Sequence, residues 1–205
     1  MPENRDPSCL RVLGMDPSIV RWGLVSACID PHTMAVEIES MGVVGAKVGQ
    51  NRTGRVMQDE LRRARELGTE IHAWAVGHDM IMTELPAGSK SAVSARSQGV
   101  ILGILGLLPA TVIPVPPNEV KMSALGYLGS KQDMIAWARQ SYPSAWWAAT
   151  ATGKARPSGE LEHLADATGV IHAGMRSVLF RAAATIARGR GPDLSNRKGQ
   201  GVQNG

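Results

Sequence analysis

Apolar and polar positions divide the chain into a run of short strands followed by alternating helices and strands. Leu10, Val12 and Met15 surround a small Gly14 in an apolar run too short for a helix, bounded by the turn Asp16-Pro17-Ser18. A second strand follows at once over residues 22–29. After the turn Asp30-Pro31-His32-Thr33 comes a third over 34–44, where Val36 and Ile38 alternate with Glu37 and Glu39. Three successive strands with short turns form an antiparallel meander. The period then changes. Across 53–76, Val56, Leu61, Ala64, Leu67, Ile71 and Trp74 recur at mostly three- and four-residue spacings, which predicts an amphipathic helix. A buried strand is predicted over 80–85. A small, apolar helix over 91–108, buried on most sides, follows it, and then a strand over 111–115 ended by Pro116-Pro117. Residues 131–141 read as a helix, 143–159 as a loop and 159–180 as a last long helix.

Composition limits what such a chain does. Its 205 residues, 43% hydrophobic, suffice for one core. The predicted organisation is a poorly ordered lead-in at 1–9, a domain at 10–180, and a segment at 181–205 with a helical start and a basic, disordered tail. A net charge of +4 and a pI near 9.4 favour an anionic partner such as nucleic acid. Cys9 and Cys28 lack CxxC or Cys/His spacing and read as buried thiols in a reducing compartment. No apolar stretch reaches the length of a membrane span, and the polar start MPENRDPS is unlike a signal peptide, so a cytoplasmic protein is expected. Gly88-Ser89-Lys90-Ser91 suggests a phosphate-friendly loop, but P-loop spacing is absent and no nucleotide cofactor is expected.

Candidate chemistry lies at three separated places. Pro17 disfavours helical geometry at Asp16, which therefore leaves its strand extended at the sheet's edge, although Asp-Pro is also ordinary turn chemistry. Glu84 ends a buried strand, where open α/β sheets place ligands and where a buried carboxylate is costly unless paired or metal-bound. His163 and Asp166 share a face of the last helix, with Glu162 on a neighbouring part of it. Two further patterns stay open. Arg62, Arg63 and Arg65 read either as a solvated face paired with Asp59, Glu60 and Glu66 or as a DNA-facing one. Trp146 and Trp147, with Lys154 and Arg156, read either as a base-stacking loop or as a cap on the core.

Three meandering strands, then helix, strand, helix, strand and more helices, is the element order of an α/β RNase H-like fold: a mixed five-stranded sheet, three strands antiparallel and two parallel, flanked by helices. Within that order, VLGMDPSIVRWGLV, MTELPAGSKSAVSARSQGVILGI, NEVKMSALGYLGSKQDM and EHLADATGVIHAG together resemble the RuvC family of Holliday-junction resolvases over most of residues 10–175. The wording ELPAGSKSA is closer to phage and prophage RuvC-like proteins than to cellular ones, which implies the host cytoplasm if the protein is phage-encoded. The resemblance implies that Asp16, Glu84, His163 and Asp166 are metal ligands and that Lys121 and Lys131 lie near the scissile phosphate. It further implies that the chain is a homodimer acting on four-way-junction DNA, and the helix at 91–108 is the expected interface. Two departures stand out: Ser18 follows Asp-Pro where the family has glycine, and Leu85-Pro86-Ala87-Gly88 carries no aromatic where the family commonly has one.

The implied chemistry is consistent with the residue types. Two Mg²⁺ ions supply a water nucleophile and stabilise the leaving oxygen in phosphodiester hydrolysis. Carboxylates suit Mg²⁺, and an imidazole in the set makes Mn²⁺ acceptable. A lysine offsets charge in the transition state. Two other functions remain at this level: an RNase H-like nuclease on other branched DNA or RNA-DNA hybrids, and a non-catalytic nucleic-acid-binding module.

Overall fold

The computed structural model describes residues 9–46, 56–85, 88, 91–147 and 153–189. The lead-in expected over 1–8 and the tail expected over 190–205 lie outside them. The elements are β1 (Leu10–Asp16), β2 (Arg21–Ile29), β3 (Val36–Gly45), α1 (Val56–Ala75), β4 (Met80–Glu84), α2 (Ala92–Leu105), β5 (Thr111–Val115), α3 (Pro117–Leu125), α4 (Lys131–Ser141), α5 (Ser158–Gly174) and α6 (Val178–Gly189).

The sheet runs β3-β2-β1-β4-β5. β1, β2 and β3 pair antiparallel as the meander predicts, while β4 and β5 add in parallel through the helical crossovers α1 and α2. Alternation along the strands then divides the core between the two sheet faces. Val12, Val25, Ala27, Met82 and Ile113 pack with α5 and its neighbours α3, α4 and α6. Leu13, Met15, Leu24 and Ile81 pack with Leu67 and Ile71 of α1 and Ile101 and Ile104 of α2.

Several local expectations are corrected. The helix predicted over 159–180 is two helices: Ser177 Oγ accepts the Phe180 N–H and starts α6, which runs on to Gly189 through the helical start expected after 181. Residues 117–125 form the unpredicted helix α3, because Pro117 occupies a first-turn position where its missing N–H has no cost. α2 is not buried on most sides. Ile101, Ile104 and Leu105 are buried, but Val93, Leu102 and the following Leu107 are exposed. Leu61 likewise projects outward from α1.

Cys9 and Cys28 are joined as a disulfide, not held as separate thiols. The antiparallel register that sets Arg11 opposite Cys28 and Leu10 opposite Ile29 brings them to a Cα separation of 5.7 Å across a sequence separation of 19. Spacing along the chain does not reveal that juxtaposition.

Candidate active site

β1 and β4 end side by side. Their parallel register pairs Gly14 with Met82 and Met15 with Thr83, so the next residues, Asp16 and Glu84, finish adjacent strands. By alternation Asp16 shares a face with Val12 and Gly14, and Glu84 shares one with Met82. Both carboxylates therefore belong to the face covered by α5.

What brings α5 close enough is missing side chains. A Cβ on Gly14 would stand 2.4 Å from the Ala167 carbonyl oxygen, and one on Gly23 would stand 2.2 Å from that of His163. At the helix's far end a Cβ on Gly174 would meet Met82 Sδ at 2.5 Å. These three glycines seat α5 directly on β1, β2 and β4, and they fix the rotation that turns His163 and Asp166 toward the strand ends. The sequence reading did not assign Gly14 and Gly23 this role. The available signal was glycine inside strands, where it is otherwise unfavourable and marks close approach of another backbone.

The site is acidic and incompletely compensated. His163 Nδ1 lies 2.5 Å from Asp16 Oδ2, and that hydrogen bond holds the imidazole pKa above its ordinary value against the opposing effect of burial. Glu84 is pushed up to about 7 by burial and then by the charges of Asp16 and Asp166, with Lys121 opposing. Asp166 is pushed up to about 7 by burial and then by Asp16 and Glu162, with Lys121 and His163 opposing. Carboxyl groups so strongly destabilised as anions are suited to a cation partner.

The lysines take different positions. Lys121, on α3, donates from Nζ to the Gly129 carbonyl at 2.9 Å while its charge reaches both raised carboxyls. Lys131, the first residue of α4, is 69% exposed and pairs with Glu162, whose hydrogen bond raises the lysine's pKa. Glu162 thus faces a lysine, and His163 is the residue that touches Asp16.

A hard divalent cation fits this donor set in kind: three carboxylates and an imidazole. Among the described residues no three His, Cys, Asp or Glu side chains are already grouped as a cation site. Asp16 is engaged with His163 instead, so coordination requires that pair to rearrange.

The two other patterns resolve structurally. Arg62 pairs with Asp59 and Glu66 and Arg63 with Asp59, as the solvated-face reading expects, whereas Glu60 pairs with Arg96 of α2. Trp147 is buried and donates Nε1–H to the Tyr142 carbonyl at 2.7 Å, whereas Trp146 is exposed. The Arg156 side chain is buried, donates to the carbonyls of Trp146 and Met41, and pairs with Glu160. It is a strut between the loop and β3.

No protein-family model matches the sequence, and no curated protein matches it. Solved structures do. RuvC of Thermus thermophilus bound to a Holliday-junction substrate superposes with a TM-score of 0.60 at 18% identity, covering 85% of this chain and 97% of that one. A second structure of Thermus thermophilus RuvC gives 0.55 at 18% identity over 86% and 97%. The chain therefore shares the fold of these RuvC structures, a mixed five-stranded sheet flanked by helices, as the element order predicted.

Proposed function

We propose that the protein is a metal-dependent endodeoxyribonuclease that resolves four-way DNA junctions by paired phosphodiester hydrolysis, acting as a homodimer. What supports this reading is that Asp16, Glu84 and Asp166, from two strand ends and one helix, lie near enough for their charges to act on one another, which adds to burial in raising Glu84 and Asp166 to about 7. The RuvC fold gives the cluster its context, and the structure of Thermus thermophilus RuvC with its junction substrate suggests the class of DNA.

Asp16, Glu84 and Asp166 would hold Mg²⁺, or Mn²⁺ in its place, with His163 as the nitrogen donor. The bound cation would supply Lewis acidity at the phosphate and a water ionised near neutral pH. The chain's own residues prepare for this. His163 has to be neutral and give up Asp16 Oδ2, and Glu84 and Asp166 have to release their protons, so cation affinity weakens as pH falls below about 7. Lys121, fixed by Gly129, places an ammonium beside the carboxylates where charge develops on the phosphate. Lys131, largely exposed, is placed to exchange Glu162 for the DNA backbone.

The deciding assay measures nicking of synthetic four-way junction, flap, RNA-DNA hybrid and linear duplex with Mg²⁺ and with EDTA. Selective, metal-dependent, symmetric cleavage of the junction is expected, and Asp16→Asn should abolish it. Equal cleavage of all four substrates would replace junction resolution with a general RNase H-like nuclease. Binding without any cleavage would leave a nucleic-acid-binding module.

A further inference from the structure

The turn between α3 and α4 is firmly built, yet it leaves two apolar side chains in solvent. Gly126 ends α3 in the left-handed region at φ 79°, with its N–H bonded to the Met122 carbonyl. The Gly129 N–H bonds the Tyr127 carbonyl at 3.0 Å, and Ser130 and Asp133 form the capping box that starts α4. The Tyr127 ring is seated where Gly129 has no side chain: a Cβ there would lie 2.9 Å from Tyr127 Cε2 and 2.4 Å from Leu125 Cδ1. Even so, Tyr127 is 53% exposed and Leu128 61% exposed.

A lysine on each side of this turn links it to the acidic residues of the site. Lys121 Nζ, which holds the Gly129 carbonyl, also acts on Glu84 and Asp166. Lys131 opens α4 and pairs with Glu162, the neighbour of His163. A half-exposed aromatic on a constrained turn, flanked by two lysines, matches the two demands of unpaired DNA: a planar surface for a base and cations for the adjoining phosphates. Because the ring is already seated, little conformational freedom is lost when a base stacks on it.

We propose that Tyr127, with Leu128 beside it, is a stacking platform for an unstacked nucleobase at a DNA branch point, so that the α3–α4 turn sets where the branch lies relative to the carboxylates. This rests on the nuclease reading above and names the part of the DNA that the site holds. A branch point is where base stacking is interrupted, and it therefore presents such a base at the lowest cost.

The test uses the full chain and a four-way junction carrying 2-aminopurine at the branch point, whose fluorescence rises when the base leaves its stack. Binding is followed in Ca²⁺ and cleavage in Mg²⁺. Wild type should raise the fluorescence. Tyr127→Ala should lose the rise and cleave the intact junction roughly five- to hundredfold more slowly, the range expected for one base–aromatic stack. Tyr127→Phe and Tyr127→Trp should retain both properties, and the deficit of Tyr127→Ala should shrink on a junction whose branch-point bases are already unpaired. Trp146→Ala, which removes the exposed aromatic of another loop, should behave as wild type. A Tyr127→Ala protein with full fluorescence rise and full cleavage overturns the platform and leaves the nuclease reading standing. So does a loss of the rise that Tyr127→Phe shares, because it would assign the role to the hydroxyl. If wild type binds the junction but never cleaves it, the nuclease reading fails while the fluorescence comparison still decides Tyr127. Absence of junction binding overturns both.

Discussion

At the scale of single residues, the site is held in a state that opposes its own ionisation. Glu84 and Asp166 keep their protons to about 7 in the folded chain, whereas their ordinary values are 4.5 and 3.8. Between those limits the folded state binds more protons than the unfolded one, so their contribution to stability falls as pH rises through that window. His163 acts in the same direction: its raised pKa stabilises the fold below the ordinary imidazole value, and this is lost as pH rises through the folded-state value. Asp166→Asn should therefore stabilise the metal-free protein by roughly 1–3 kcal/mol at about pH 8 and by much less at about pH 5. Thermal melts at the two pH values check this, and equal shifts at both would refute it. Mg²⁺ should raise the melting temperature of wild type, but not of Asp166→Asn, at the higher pH.

The division of labour along α5 and α4 is also testable at this scale. His163→Ala should lose metal-dependent cleavage, whereas His163→Asp should retain it and move the acid limb of the pH-rate profile downward, because no imidazole then has to be neutral. Glu162→Ala should release Lys131 and keep measurable cleavage. Near-normal cleavage by His163→Ala beside an inactive Glu162→Ala would move the ligand role to Glu162. Lys121→Ala should lower the cleavage rate with little change in junction affinity, while Lys131→Ala should weaken binding and its salt dependence more than the rate. Equal loss of affinity in both would show that these roles are misassigned.

At the scale of elements, the seating of α5 on the sheet decides whether the carboxylates meet. Gly14→Ala and Gly23→Ala each drive a methyl into helix backbone, at the Ala167 and His163 carbonyls. Backbone cannot yield as a flexible side chain can. Each substitution should cost roughly 1–3 kcal/mol and should reduce cleavage further by displacing His163 and Asp166 from the strand ends. Gly99→Ala, in α2 with nothing within 4 Å of the added carbon, should be neutral or stabilising by about 0.4–1 kcal/mol. Denaturant melts of the three variants measure the contrast. Comparable destabilisation of all three would mean that close approach is not what these glycines provide.

At the scale of the whole molecule, two cores share one sheet, and only the α5 face carries the carboxylates. The opposite face leaves the apolar edge of α2 uncovered, with Leu102 54% and Leu107 80% exposed. A homodimer through this surface would set two sites for two cuts and would remove apolar area from water. Light scattering should give the mass of two chains at assay concentration. Leu107→Glu should shift it toward one and convert paired junction cleavage into single nicks. A monomer that still makes both cuts would exclude this arrangement.

Hydrophobic periodicity along the chain determined the order and kind of most elements, because burying one face of a strand or helix requires alternation or three-to-four spacing, and both are local properties. Asp16 and Glu84 were legible for the same reason: a turn signal directly after a buried strand puts an acid at its end. The tertiary structure decided what depends on contact between distant segments. The β1–β2 register joined Cys9 to Cys28, and three glycines admitted α5 to the sheet. Lys131 went to Glu162, and Arg156 went to the carbonyls of Trp146 and Met41 in place of a phosphate. Charge and spacing along the chain name the groups available for such contacts, but distance in space selects the partners, and that selection exists only once the helices have packed on the sheet.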